Sequence, residues 1–319
     1  MWKKTGIQNN SGPKHLTNTR LSPQSRAVIE LIFAGSLWGF GFVTTIWALE
    51  RYSSSQVVFY RFVFAWLAGF AIDHLLNGKS FSQVRFDYKR ALIPGLLLCA
   101  FMFLQTYGMK TTTATKSSFI TTLYVLFVPL MNFGLFKQKI HWADFPLAAF
   151  ALIGMYFLLG ADLSSATLGD WVTLGAAFVG ALHIIFVGLA ARASQDTFTL
   201  NNAQSFWVMM ASGFLLFLPE TPAPSTVGFE WTLSALKPEI GILYLALGSS
   251  LVAFTIQVRA QKILSDQTAT QLFLLEAPFS FAFASLLLGD RMTFTQLIGA
   301  CVILMSTFLS TRMEVLKKK

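Results

Sequence analysis

The stretch QTATQLFLLEAPFSFAFASLLLGD, residues 267–290, is apolar over most of a membrane thickness, yet it carries Glu276 near its centre. Pro278 follows two residues later. A charged side chain at mid-membrane costs about 2.5–3.5 kcal/mol on insertion scales, so it usually faces a cavity or a partner. Proline removes a backbone donor, and an interrupted helix is tolerated in a membrane only where it contacts protein or lines a cavity. The stretch therefore predicts a membrane helix built around a polar site.

The chain as a whole has the composition of a polytopic membrane protein. Of its 319 residues, 54% are hydrophobic and 12% are charged, whereas soluble domains carry about 25% charged residues. The apolar residues form continuous runs of roughly 20 residues, the length of a spanning helix, and not the alternating segments of a barrel. The predicted fold is therefore all-α integral membrane. Ten spans are predicted: 27–49, 56–76, 91–110, 115–136, 143–160, 168–191, 199–218, 240–260, 268–288 and 296–312.

The net charge of +9 follows this predicted topology. With a cytoplasmic N-terminus, most Lys and Arg residues fall in inside segments, because positive residues are retained there. Both termini are therefore predicted to be cytoplasmic, in a multi-pass protein of the cytoplasmic (inner) membrane. The polar first 25 residues lack an apolar core, so we expect no cleaved signal peptide. The basic residues form no folded basic face for nucleic acid. The outside segments hold Arg51, Lys110, Lys116, Lys237 and Arg291.

The ten predicted spans divide into two groups of five. A shift of 152 residues aligns the fourth and fifth spans with the ninth and tenth, and it pairs Gln105 with Gln257. Because five is odd, the second group enters the membrane from the opposite side, as in secondary transporters whose substrate site lies between inverted repeats. Long loops are predicted only at 77–90, inside, and 219–239, outside. The predicted regions are a polar N-terminal tail (1–26), two inverted five-helix repeats (27–160 and 168–312) and a basic tail (313–319).

Three stretches resemble the EamA-type permeases of the drug/metabolite transporter superfamily. They are AGSLWGFGFVTTIWALE (34–50), TTATKSSFITTLYVLFVPLM (112–131) and TATQLFLLEAPFSFAFASLLLGDRMTFTQLIGACVIL (268–304). The third has that family's Glu-x-Pro centre and its Leu-Leu-Gly-(Asp/Glu) end. The similarity covers about residues 27–312 and implies a ten-helix transporter without naming a substrate. The halves depart from each other, since Tyr124 occupies the position of Glu276 and Pro129 lies three residues later in register than Pro278.

Polar and aromatic side chains inside the spans are the candidates for substrate binding or coupling. Glu276 either handles protons or a substrate amine, or it caps backbone that Pro278 leaves free. His183 suits proton relay, although a hydrogen bond between helices is the interpretation we favour. The glutamines suit a polar ligand or bonding between helices. The candidates are Glu276, Gln105, Gln257, Tyr124, Trp38 and His183.

Three basic residues are candidates for charge recognition: Arg61, Lys110 and Lys116. Arg61 lies inside the second span, where it either binds a carboxylate or, as we favour, extends its charge outward to the interface. Pro129 and Pro278 are predicted to break their helices.

The motif GSLWGFG places Gly35 and Gly39 one turn apart, which favours close helix packing.

These features predict a secondary active transporter that moves a small metabolite, an amino acid or a related polar or aromatic compound, by alternating access. Export is favoured over uptake or exchange. An intramembrane enzyme or lipid-handling protein is the alternative of another class, but no nucleotide, metal or nucleophile motif is found. No catalytic residue, metal or cofactor is therefore predicted. The predicted partners are the substrate, the lipid bilayer and protons as a candidate coupling ion, with no nucleic acid; monomer and homodimer both stay open.

Overall fold

The structure is a computed structural model, and it describes residues 22–137, 144–159, 166–217, 219–220 and 236–317. Within these ranges the chain is helical and contains no strand. Most of the two predicted tails, residues 138–143 and most of the predicted outer loop 219–239 lie outside the described residues. The helices are α1 (Pro23–Leu49), α2 (Ser54–Phe70, continued by a π-helical segment Ala71–Leu76), α3 (Phe81–Arg90), α4 (Leu92–Gly108), α5 (Ala114–Thr121), α6 (Tyr124–Phe136), α7 (Asp144–Leu158), α8 (Leu168–Ala193), α9 (Thr197–Leu215), α10 (Lys237–Tyr244), a π-helical segment Leu245–Ala253, α11 (Phe254–Ile263), α12 (Asp266–Phe273), α13 (Glu276–Leu287) and α14 (Phe294–Lys317).

Local sequence signals set where several helices begin and end. At the start of α2 the Ser53 hydroxyl accepts a hydrogen bond from the Gln56 N–H (3.3 Å), and the Gln56 side chain accepts one from the Ser53 N–H (2.9 Å). Thr167 and Asp170 form the same reciprocal cap at the start of α8. Such caps satisfy N–H groups that a helix terminus otherwise leaves without partners. After α13, Gly289 adopts a φ of 73°, which a residue with a side chain rarely adopts.

Length and composition identify several of these helices as membrane-spanning. Six helical stretches qualify among the described residues, and a seventh does if α3 and α4, bent by 58°, form one span. The chain is therefore a multi-pass membrane protein. The count of ten spans stays a prediction. The six stretches are Pro23–Leu49, Ser54–Leu76, Ala114–Phe136, Leu168–Ala193, Lys237–Ile263 and Thr268–Leu287.

Two of the spanning stretches are interrupted at matching places. In one stretch, α5 ends at Thr121 and α6 begins at Tyr124. In the other, α12 ends at Phe273 and α13 begins at Glu276. Each boundary in the second pair lies 152 residues after its counterpart. Both interruptions are short turns with i to i+3 backbone bonds, such as Leu123 N–H to Ile120 O at 3.1 Å and Leu275 N–H to Leu272 O at 3.2 Å. The chain therefore has two broken spans in the register that the 152-residue shift predicts.

The two prolines relate differently to these interruptions. Pro278 lies in the first turn of α13, where a missing N–H costs no intrahelical hydrogen bond, so the predicted break near it is observed. Pro129 lies inside α6, which continues past it to Phe136. The prediction that Pro129 breaks this helix is therefore wrong. The break precedes it at Thr122, whose hydroxyl donates to the Phe119 carbonyl (2.6 Å) and so competes with helical backbone bonding.

The loop 77–90 contains a helix that the apolar-run pattern did not predict. This helix, α3, is polar over most of its length, so it has no continuous apolar stretch. Its Val84 and Asp87 are buried against the protein, whereas Phe81 is 73% exposed. The Arg90 guanidinium lies 3.6 Å from the centre of the Phe86 ring. The available signal for this helix was the Ser80-x-x-Gln83 capping pattern at its start.

The helices pack in pairs that join the two halves of the chain. Helix α1 packs against α11 and α13, α8 packs against α4 and α6, α2 faces α9, and α7 faces α14. The predicted close packing at Gly39 is confirmed. A Cβ at this residue would stand 2.5 Å from Phe279 Cβ and 2.8 Å from the Ser280 nitrogen on α13. At Gly35 the spacing is looser, since a Cβ would meet Leu275 Cβ at 3.6 Å. These contacts fix where α13 carries Glu276.

Candidate functional site

A cavity lies at the centre of the molecule, between α1, α2, α4, α8, α11 and the two broken spans. Its volume, counted as the space that the centre of a water molecule can occupy, is about 50 Å³. A single water needs roughly 10–15 Å³ by the same measure, so the cavity is narrow in this state. All six residues predicted for substrate binding or coupling line it, together with Arg61. The other lining residues are Gly41, Phe42, Thr45, Phe101, Met102, Ile184, Leu245, Ser249, Phe254 and Phe273.

Glu276 is buried on the cavity wall and forms a hydrogen bond with Tyr124. The Tyr124 hydroxyl donates to Glu276 Oε1 at 3.1 Å. Each of the two residues is the first of its half-helix, after the interruption in its span. The N-terminus of a helix favours negative charge, so this position suits a carboxylate. Among the described residues the carboxylate has no backbone N–H partner, so its observed bonding is to a side chain.

Arg61 is buried inside the protein, at 5% exposure. The favoured prediction that it extends outward is therefore wrong. Its guanidinium Nε donates to Ser250 Oγ at 2.5 Å and its Nη2 donates to Ser249 Oγ at 2.8 Å. Helix α2 packs against the π-helical segment that carries these serines, so their hydroxyls take the place of water. No carboxylate of the described residues lies within 4.0 Å of the guanidinium.

The serines that hold Arg61 depend on an unusual backbone segment. The π-helical turns of Leu245–Ala253 displace carbonyls from regular helical bonding. Asn201 on α9 satisfies two of them, since its Nδ2 donates to Ser250 O at 3.1 Å and to Leu251 O at 3.2 Å. Sequence reasoning missed Ser249, Ser250 and Asn201. The paired serines inside an apolar run were the available signal, because buried hydroxyls need partners.

His183 also lies on the cavity wall, and its bonding matches the interhelical alternative. Its Nε2 is 3.0 Å from Gln204 Oε1 on α9, and its side chain is almost fully buried. The ring centre lies 6.5 Å from that of Phe101 and 6.2 Å from that of Phe254. The His183–Gln204 pair therefore connects α8 to α9 at the edge of the cavity.

The repeat-related glutamines line the same cavity and share a pattern of bonding. Gln105 Nε2 donates to Thr121 Oγ1 at 3.0 Å, which joins α4 to α5. Gln257 Nε2 donates to Gln261 Oε1 at 3.0 Å within α11. In each glutamine the amide nitrogen is bonded, while the side-chain oxygen has no partner among the described residues. Both oxygens are therefore acceptors available to a ligand.

Trp38 supplies an available donor on the same wall. Its side chain is 8% exposed, and its indole Nε1 has no hydrogen-bond partner among the described residues. The indole lies 5.2 Å from the Phe273 ring and 5.5 Å from the Phe254 ring, measured between centres. A buried indole N–H normally finds a partner, so this one marks a place where a ligand acceptor can bind.

Lys110 and Lys116 do not join the cavity. Lys110 Nζ lies 2.7 Å from Glu220 Oε2, and Lys116 Nζ lies 3.8 Å from Asp170 Oδ2. Burial alone would raise the pKa of the Glu220 carboxyl, but the hydrogen bond and charge of Lys110 outweigh it, and the pKa lies below its ordinary value. Both lysines are thus engaged in ion pairs at one end of the helices.

Comparisons with known proteins agree with this architecture. The model of the EamA-like transporter family matches the chain twice, at residues 25–160 and 167–312. An uncharacterized transporter of Archaeoglobus fulgidus is 26% identical over 285 residues, covering 89% of this chain and 85% of its own. An uncharacterized transporter of Methanothermobacter thermautotrophicus is 25% identical over 252 residues, covering 74% and 70%. A solved crystal structure matches with a TM-score of 0.66 at 16% identity, covering 91% of this chain and 97% of that one, which shows a shared fold.

Proposed function

We propose, since the chain belongs to the EamA-like transporter family, that it is a secondary active transporter of a small metabolite that works by alternating access. The substrate is an amino acid or a related polar or aromatic compound, and export from the cell is the direction we favour. The central cavity is the binding site. Glu276 couples transport to protons or receives a substrate amine.

The bond between Tyr124 and Glu276 is the observation that carries this proposal. The two residues lie 152 positions apart, which is the offset between the halves of the chain, and their side chains meet at 3.1 Å on the cavity wall. Equivalent positions of two repeats come together only near the axis that relates the repeats. A cavity at this axis, between two broken helices, is the location of substrate sites in transporters built from inverted repeats.

The helix contacts support the same relation between the halves. Suppose that each helix of one half is exchanged for its counterpart in the other half: α1 for α8, α2 for α9, α4 for α11, α6 for α13 and α7 for α14. The α1–α11 contact then becomes the α8–α4 contact. The same exchange converts the α1–α13 contact into the α8–α6 contact, while the α2–α9 and α7–α14 contacts each convert into themselves. The two family matches cover the two halves. We therefore propose ten spans in two inverted repeats, with both termini in the cytoplasm of an inner-membrane protein.

Polar contacts at both ends of the helices support alternating access. At the proposed outer end, Lys110 pairs with Glu220, and the Thr115 hydroxyl donates to Asp290 Oδ2 at 2.8 Å. At the proposed inner end, Arg192 pairs with Asp266 at 3.1 Å, and Lys79 Nζ lies 2.6 Å from both Asp73 and Asp196. Release of one set while the other persists would open the cavity to one side at a time. Such paired closures are typical of repeats that rock against each other.

Transport by the purified protein in liposomes tests the proposal. Vesicles are loaded with a mixture of amino acids, nucleosides and other small metabolites, and a proton gradient or a counterflow gradient is imposed. We expect selective movement of one chemical class, absent from protein-free vesicles. Chemical conversion of a compound without its movement would support an enzyme and contradict the proposal.

The two cavity glutamines should matter more for transport than for folding. In Gln105→Ala and Gln257→Ala the free side-chain oxygen is lost, and an unpaired polar group on the ligand then costs about 1–3 kcal/mol. We expect the apparent affinity for substrate to fall by about fivefold to a hundredfold, at the usual 1.4 kcal/mol per tenfold. Yield of folded protein should change much less. Equal losses of yield and transport would assign both residues to packing.

A further inference from the structure

The cavity holds two ionisable residues of opposite sign that do not pair with each other. Arg61 and Glu276 both line it, yet no ion pair joins them. Glu276 bonds Tyr124, whereas Arg61 bonds the hydroxyls of Ser249 and Ser250. The guanidinium is thus held by neutral partners. Both groups border the same cavity and are open to a ligand that enters it.

Arg61 is incompletely satisfied by the partners that it has. A guanidinium carries five N–H donors in a planar fork, and two hydrogen bonds to it are formed among the described residues. Both hydrogen bonds are to neutral hydroxyls. Removal of a charge from water is costly, and a hydroxyl compensates a buried cation less than an anion does. The serines fix one edge of the fork. Its remaining donors are free for an acceptor in the cavity.

The unpartnered indole N–H of Trp38 is a second and independent sign of an acceptor at this place. Trp38 and Arg61 flank one ring, since Phe254 lies 5.5 Å from the Trp38 ring centre and 5.9 Å from the Arg61 Cζ. Two donors, one charged and one neutral, therefore border the same apolar corner. Each is at least nine-tenths buried. An oxygen acceptor would satisfy both donors, and a negative charge on it would also compensate the buried guanidinium.

We infer that the transported compound carries a single carboxylate, which binds the Arg61 guanidinium while its apolar part packs on Phe254 and Phe273. A planar carboxylate matches the planar fork and accepts two parallel hydrogen bonds. A phosphate monoester carries nearly two charges, and among the described residues that line the cavity Arg61 is the one Lys or Arg. The inference deepens the proposed function and rests on it, because it takes the central cavity as the substrate site.

Matched pairs of acids and amides test this inference directly. The probes are free amino acids and 2-oxo acids with aromatic or branched side chains, each compared with its own carboxamide. Binding is measured as ligand-dependent thermal stabilisation of the purified protein. At least one acid should bind about tenfold or more tightly than its amide, since a hydrogen bond to a charged group contributes more than a neutral one. If no acid exceeds its amide, the inference is overturned.

Variants assign the preference to Arg61. Arg61→Gln should remove the difference between acid and amide, and Arg61→Lys should retain part of it, because a lysine keeps the charge but loses the fork. Arg259→Gln is the matched control, since Arg259 pairs with Glu30 at 2.7 Å away from the cavity and should leave the preference intact. An acid preference that persists in Arg61→Gln overturns the assignment. If Arg61→Gln does not fold, Arg61→Lys provides the test. An acid preference as large in Arg61→Lys as in the wild type also overturns the assignment.

The outcomes separate this inference from the proposed function. Transport of amines or neutral solutes, with no preference for acids, would contradict the inference and leave the transporter proposal intact. Acid-selective binding that depends on Arg61, with no movement of any solute in liposomes, would support the carboxylate site and contradict transport.

Discussion

Glu276→Gln is expected to abolish pH-driven accumulation of substrate while the protein still folds. Glutamine preserves the shape of the side chain and can accept the hydrogen bond that the Tyr124 hydroxyl donates at 3.1 Å. It removes the group that can gain and lose a proton. Accumulation under an imposed proton gradient should therefore fall to the level of protein-free vesicles. Exchange of substrate without a gradient should persist if the carboxylate acts on protons alone, and it should also be lost if the carboxylate binds a substrate amine.

Two further variants make the Glu276 result specific. Tyr124→Phe removes the hydroxyl donor but leaves the carboxylate, so the pH dependence of transport should persist with an altered profile. Glu50→Gln removes an exposed carboxylate at the end of α1 and should change nothing. If Glu276→Gln transports at the wild-type rate with the wild-type pH profile, the carboxylate has an architectural role and the coupling proposal is wrong.

Gly39→Ala is expected to destabilise the protein and to impair transport together. The added Cβ would meet Phe279 Cβ at 2.5 Å, the Ser280 nitrogen at 2.8 Å and the Glu276 carbonyl oxygen at 3.0 Å. Two of these atoms belong to backbone, so the clash can be relieved only by moving α1 away from α13. Overpacking of this kind costs about 1–3 kcal/mol. Because α13 carries Glu276 in its first turn, the same movement displaces the carboxylate from Tyr124.

A matched glycine separates this clash from the general effect of alanine in a helix. Gly175 lies within α8, and a Cβ there would meet nothing within 4 Å. Alanine is favoured over glycine in helices by about 1 kcal/mol, so Gly175→Ala should raise the thermal midpoint slightly or leave it unchanged. Gly39→Ala should lower it. A Gly39→Ala protein as stable and active as wild type would show that α1 and α13 are not closely packed at this point.

The sequence predicted the helices and the cavity-lining residues better than it predicted the hydrogen-bond partners of those residues. Glu276, Gln105 and Gln257 were found because a carboxylate or amide in an apolar run needs a partner, and that requirement acts at the level of a single residue. The offset of 152 residues also predicted which positions would be equivalent, and the broken spans begin and end in that register.

Arg61 shows what the sequence could not decide. Whether an arginine within a span turns inward or outward depends on what packs beside it, and the serines beside Arg61 come from a segment about 190 residues away in sequence. Their position depends on a π-helical backbone that no apolar pattern encodes. Similarly, Pro129 suggested a break that occurs instead at Thr122, where the local hydroxyl bond competes with helical bonding, and the helix continues past the proline.

Access to the cavity from each side of the membrane is the most direct test of alternating access. The chain contains two cysteines, Cys99 and Cys301, so serine replacements provide a background for a single reporter cysteine. Thr45→Cys places that thiol on the cavity wall. Glu50→Cys and Asn77→Cys are exposed controls, predicted to react with a membrane-impermeant thiol reagent only from outside and only from inside, respectively. The account predicts that Thr45→Cys reacts from both sides, in proportions that shift with substrate and with the direction of the gradient. Reaction from a single side under every condition would contradict it.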